Sequence, residues 1–160
     1  MTNALTPEQI QAYRCDGFVV TPNVFSRDEL AEMDAEFDRL VAERQAAPDA
    51  AKQPGGGWLL RLGLLSPKTA AWCADDRVLD LIQPLVHPGI AIYSAKLVSK
   101  EPRTPEVCHW HQDDAYYVSH SQSACRMSIW APLQDVELEH GCLRVIPGSH
   151  LRGLQPAQRK

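Results

Sequence analysis

Cys108-His109-Trp110-His111-Gln112-Asp113-Asp114 gathers two histidines and two acids into one short run. Read as a β-strand, it has a period of two, so side chains two positions apart share a face. His111 and Asp113 then project together, a neutral imidazole and a carboxylate within reach of one cation. Two histidines plus one carboxylate, with open positions opposite, make the facial ligand set of non-haem Fe(II) oxygenases. An H-x-D supplies two of those three ligands and needs a distant histidine for the third. His109 lies on the same face, so spacing alone leaves it able to replace either neighbour. Three-residue patterns also recur by chance, and a polar loop with surface histidines fits the same letters. A zinc site built from Cys108, His109, His111 and Asp113 fits poorly, because ligands crowded onto one strand cannot surround a tetrahedral ion.

The rest of the chain bounds that reading. Its 160 residues make one ordinary domain with room for a core. A hydrophobic fraction of 44% against 22% charged residues fits a globular protein and not a disordered one. The net charge of -4 gives no reason to expect nucleic acid or an anionic membrane as partner. The acidic excess falls in the first half, as a solvated helical face. The five cysteines, Cys15, Cys73, Cys108, Cys125 and Cys142, are odd in number and form no C-x-x-C pair. They read as reduced thiols and not as a disulfide framework. The N-terminus has neither the basic nor the apolar region of a secretory signal, and no apolar run approaches the length of a membrane helix. A reducing cytoplasm is the expected location, and it suits ferrous iron.

In chain order, helices come first. Thr6-Pro7-Glu8-Gln9 is a capping box with Pro at the first helical position, predicting a helix to about Arg14. Asp16-Gly17 breaks it, and Phe18-Val19-Val20 reads as a short strand. Ser26-Arg27-Asp28-Glu29 is a second box, leading into Leu30, Met33, Phe37, Leu40 and Val41, an apolar stripe at helical spacing that predicts core packing. Residues 45–57 read as a flexible connection whose glycines make no phosphate loop. Trp58 to Leu65 reads as a strand, with Arg61 a surface residue. Ser66-Pro67 and Asp75-Asp76 open further helical stretches that end by Pro84 and Pro88-Gly89.

After Gly89 the period changes to about two. Ile90 to Val98 reads as a strand interrupted by Lys96, whose ammonium must either snorkel out or face an anion in a cavity. Residues 99–107 form a loop. Met127 to Leu133 and Cys142 to Ile146 are further strands, separated by a turn at Glu139-His140-Gly141 and ended by Pro147-Gly148. Helices followed by strands at this spacing predict an α+β or mainly β fold of the β-sandwich kind.

Several of these signals coincide in order with a known family. Leu5-Thr6-Pro7-Glu8-Gln9 through Asp16-Gly17-Phe18 resembles the opening of the phytanoyl-CoA dioxygenase family, and Trp110-His111-Gln112-Asp113 resembles its H-x-D strand. Ser128-Ile129-Trp130-Ala131-Pro132-Leu133 is similar to the strand that follows. So is the block His140-Gly141-Cys142-Leu143-Arg144-Val145-Ile146-Pro147-Gly148-Ser149-His150, far more specific than H-x-D.

The resemblance implies a jelly-roll (double-stranded β-helix) core. Residues 1–89 would form an N-terminal helical part with short strands, and 90–160 the first strands of the roll. It further implies Fe(II), 2-oxoglutarate as co-substrate, O₂, and hydroxylation of an aliphatic carbon of a small organic substrate. His111 and Asp113 become the metal ligands, against His109, while Lys96 and Trp130 match positions beside the 2-oxoglutarate. Related halogenases replace the carboxylate by a small residue, so Asp113 favours hydroxylation. Gln112 alternates to the opposite face.

The family's distal histidine ligand and its 2-oxoglutarate-clamping arginine lie beyond the Pro-Gly-Ser-His block, and this chain ends ten residues after His150. By this resemblance the chain is C-terminally truncated and the last strands of the roll are missing. The intact block favours a fragment of an active enzyme. The alternative is a non-catalytic jelly-roll binding or structural module, a degenerate relative without the full iron site. Substrate identity and oligomeric state are not legible.

Overall fold

Helix α1 (Pro7–Asp16) begins where the capping box predicts: Thr6 Oγ1 accepts from the Gln9 amide and the Gln9 side chain accepts from Thr6 N–H. It runs two residues past the expected end, to a left-handed Gly17 (φ 84°) whose amide closes on Tyr13. The computed structural model describes residues 4–47, 58–86, 89–100, 103, 108–117 and 125–155. Most of the 45–57 connection and of the 99–107 loop, and Pro88 of the expected helix stop, lie outside these residues.

Helix α2 (Arg27–Ala46) has the second capping box at Ser26 and Glu29. Its stripe packs as its spacing dictates: Met33, Phe37 and Leu40 are buried with Leu59, and Leu30 and Val41 flank them. α3 (Pro67–Cys73) and α4 (Asp76–Ile82) follow. α3 supplies Trp72, edge-on to Phe37 at 5.7 Å between ring centroids, a preferred aromatic geometry. Beneath it Thr69, fully buried, donates its hydroxyl to the carbonyl of Leu62. Arg77 joins the starts of α2 and α4. Its guanidinium reaches Glu29 and Asp75, both at 2.8 Å, donates to the Val24 carbonyl at 3.1 Å, and lies over the Phe25 ring.

The strands depart from expectation. β1 (Leu59–Leu60) and β2 (Lys96–Leu97) pair antiparallel, Leu59 opposite Leu97 and Leu60 opposite Lys96. The expected strand from Trp58 to Leu65 stops at Arg61, whose left-handed backbone (φ 58°) turns the chain into a 3-10 turn over Leu62–Leu64. A strand exists only where a neighbour takes its backbone hydrogen bonds, so the early end of β1 also shortens the Ile90–Val98 strand to two residues. Phe18–Val20, Met127–Leu133 and Cys142–Ile146 carry no ladder. Among the described residues the sheet is this one ribbon, and the architecture is mixed helix with a small sheet.

Two sequence blocks far apart meet at the end of α1. The Gly148 amide donates to the Asp16 carbonyl at 2.9 Å. His150, on the 3-10 turn Ser149–Arg152, places Nε2 3.0 Å from the Arg14 carbonyl. A carbonyl only accepts, so Nε2 is the donor, and His150 satisfies one of the orphan acceptors at a helix C-terminus. Among the described residues no helix is long and apolar enough to cross a membrane.

Candidate functional site

The run from Cys108 to Asp113 is irregular, not a strand, and passes into one helical turn, α5 (Asp114–Tyr117). Without a partner strand its carbonyls are taken locally: Ala115 N–H donates to Gln112 O at 3.0 Å and Tyr116 N–H to Asp113 O at 2.9 Å. The turn still brings the expected pair together. His111 Nε2 stands 3.2 Å from Asp113 Oδ1, with both side chains partly exposed.

The second ring nitrogen decides what that contact means. His111 Nδ1 is 2.7 Å from the backbone carbonyl of His109 and 3.8 Å from Cys108 Sγ. The carbonyl can only accept, so Nδ1 carries a hydrogen, and Nε2 is the nitrogen turned to the carboxylate. Two lone pairs at this distance repel unless a proton or a cation lies between them. Carbonyl-anchored imidazoles are the usual arrangement for a metal-ligating histidine, because the anchor fixes tautomer and ring orientation. With metal–donor bonds near 2.1 Å, two ligands at a right angle stand about 3 Å apart, close to the observed separation.

The carboxylate has its own support. Ser128 Oγ donates to Asp113 Oδ2 at 3.4 Å. Next to it Arg126 grips Asp114 through two hydrogen bonds, one of 3.1 Å from Nη2 to Oδ2 and a shorter one from Nε. That guanidinium holds the Asp114 carboxyl below its ordinary range, keeping the second acid of the run committed to the 125–133 segment. Tyr116 stands edge-on to His111 at 6.0 Å.

Gln112 turns to other partners: its Nε2 donates to the Gly153 carbonyl at 3.1 Å and its Oε1 accepts from Gln155 N–H at 2.6 Å. His109 enters through its carbonyl. The Ser128, Arg126 and Gln112 contacts escaped the sequence reading, since nothing in a lone Ser, Arg or Gln announces a partner many residues away.

The two other candidate residues sit apart from this pair. Lys96 in β2 lies over the Trp58 ring, its ammonium 5.7 Å from the centroid, and Trp130 is half exposed. Among the described residues no hydrogen bond, ion pair or ring contact joins either to His111 or Asp113. A cavity of about 450 Å³ opens between α3, α4 and residues 89–92, lined by Cys73, Leu79, Val86 and Ile90, and includes none of the four candidates. His111 and Asp113 are thus the one pair of candidate ligands whose side chains meet among the described residues, and no group of three His, Cys, Asp or Glu side chains converges among them.

The family model for phytanoyl-CoA dioxygenase (PhyH) matches residues 13–160. An ectoine dioxygenase of Bordetella parapertussis is 25% identical over 155 residues, covering 92% of this chain and 50% of that protein. The peroxisomal phytanoyl-CoA dioxygenase of Mus musculus is 25% identical over 169 residues, 96% of this chain and 50% of its own length. A phytanoyl-CoA dioxygenase domain-containing protein 1 homolog of Dictyostelium discoideum is 23% identical, with 94% and 67% covered. The chain thus spans about half the length of the first two of these relatives, and no solved structure matches it. With the family model matched over almost all of its length, the chain belongs to the phytanoyl-CoA dioxygenase family.

Proposed function

We propose that this chain carries the first part of a non-haem Fe(II)- and 2-oxoglutarate-dependent dioxygenase that hydroxylates an aliphatic carbon of a small organic substrate. The observation that carries the reading is the His111–Asp113 pair: Nε2 and Oδ1 at 3.2 Å, with Nδ1 tied to the His109 carbonyl. Those two atoms would hold the metal. On this reading residues 90–160 begin a jelly-roll core behind a helical part over 1–89, and the facial set is completed by a distal histidine of the kind the family resemblance implies.

Bound iron, with O₂ and 2-oxoglutarate, would supply the oxidising chemistry, and the overall change consumes 2-oxoglutarate, O₂ and a C–H bond to give succinate, CO₂ and an alcohol. The protein's own groups bind and orient. His111 presents a fixed lone pair, and Ser128 holds the second oxygen of Asp113 so that Oδ1 faces the imidazole. By family resemblance the Lys96 ammonium, which makes no hydrogen bond or ion pair among the described residues, and Trp130 would serve the 2-oxoglutarate, Lys96 by meeting one of its carboxylates.

The test is succinate release from 2-oxoglutarate by the purified chain, with and without Fe(II). Release that needs Fe(II) and disappears in His111→Ala supports the reading; turnover untouched by that substitution removes it. Convergence of two donors and no third among the described residues supports the second reading, a family module without catalysis. In that case Fe(II) and 2-oxoglutarate together would leave the melting temperature of the chain unchanged.

A further inference from the structure

The Pro-Gly-Ser-His block and Gln112 both lie outside the metal-binding role just described, yet Gln112 is hydrogen-bonded to the segment that directly follows the block. The end of α1 holds Gly148 and His150 through the carbonyls of Asp16 and Arg14. The 3-10 turn Ser149–Arg152 leads directly to Gly153 and Gln155, and both ends of the Gln112 amide bind there. A side-chain amide has one acceptor oxygen and a two-hydrogen donor. Here each end is matched to a backbone group of the opposite kind, at 2.6 and 3.1 Å, within ordinary hydrogen-bond range. Gln112 sits between the two candidate ligands, so whatever fixes its side chain fixes the backbone from which both His111 and Asp113 project.

We propose that Gln112 is a positioning residue: clamped onto Gly153–Gln155, it transmits the rigidity of the α1 terminus to the His111–Asp113 pair. This rests on that pair being the metal site. Groups that orient metal ligands without touching the metal typically change affinity about 10- to 100-fold when removed, and Gln112 does so through the backbone. Gln112→Ala removes both bonds. Gln112→Glu keeps an oxygen for the Gln155 amide but sets a carboxylate oxygen against the Gly153 carbonyl, so it retains only one.

The test uses two readouts on the full 160-residue chain. The first is the ¹⁵N chemical shifts of the His111 ring in metal-free protein, which report its tautomer and hydrogen bonding. The second is Mn(II) affinity from paramagnetic broadening. In Gln112→Ala the His111 shifts move toward those of a freely exchanging imidazole and Mn(II) binding weakens about 10-fold or more, with far-UV circular dichroism unchanged. Gln112→Glu falls between this variant and the parent. Unchanged His111 shifts in Gln112→Ala overturn the proposal, as does equal loss in a distant core variant of matched melting temperature. If the parent itself shows no Mn(II) effect at His111, the metal reading fails. Shifts that still move in Gln112→Ala then uphold the clamp, and shifts that stay put overturn it too.

Discussion

Replacing Gly17 by alanine tests how the end of α1 is built, and its size follows from two separate terms. The first is conformational: Gly17 has φ of 84°, a region that costs an L-residue with a Cβ about 1–2 kcal/mol. The second is steric. A Cβ built there falls 2.5 Å from His150 Nδ1 and 3.1 Å from Cε1, so the imidazole must move and its hydrogen bond to the Arg14 carbonyl is lost, about 0.5–1.5 kcal/mol. Together they predict destabilisation of roughly 1.5–3.5 kcal/mol, a fall in Tm of roughly 3–14 °C for a chain of this size. Thermal unfolding followed by circular dichroism measures it. In a His150→Ala background the steric term has already gone, so the same change should cost only about 1–2 kcal/mol. Equal losses in the two backgrounds would refute the docking of the Pro-Gly-Ser-His block on this helix.

Phe37→Ala empties a buried position packed edge-on against Trp72 and should cost about 3–5 kcal/mol, read from the denaturant midpoint; a loss under 1 kcal/mol would mean that α2 does not centre the core. Acid should loosen the junction of α2 and α4. The Arg77 guanidinium beside Glu29, helped by the Ser26 amide, holds that carboxyl down to about 2 from an ordinary 4.5, and Asp75 is lowered by the same guanidinium. A depressed folded-state pKa gives stability that is complete above the ordinary carboxylate range and lost as pH falls through the folded value. Melting temperature should therefore drop between about pH 4.5 and 2, and more shallowly in Arg77→Met. Identical slopes in parent and variant would contradict it.

The helical part was legible because its signals are local. Thr6 with Gln9 and Ser26 with Glu29 lie three residues apart and form as the letters say, and the Met33-Phe37-Leu40 stripe needs only its own period to find the core. Strands depend on partners elsewhere in the chain. Nothing in Trp58–Leu65 announced that Arg61 would adopt a left-handed backbone, and with that turn the Ile90–Val98 ladder shortens to Lys96–Leu97. At the candidate site the sequence named His111 and Asp113, and their side chains do meet. The assumed cause was wrong, since a turn into α5 brings them together and strand alternation does not. The supports from His109 O, Ser128 and Gln112 are tertiary or backbone contacts, which residue spacing does not encode.

The most direct measurement of the central claim is a substoichiometric Mn(II) titration of ¹⁵N-labelled chain in the presence of 2-oxoglutarate, followed by amide broadening. Metal held by His111 and Asp113 broadens residues 109–114 and Ser128 first, and His111→Ala abolishes that pattern. Broadening centred on the acidic face of α2 instead, or a pattern indifferent to His111→Ala, would contradict it.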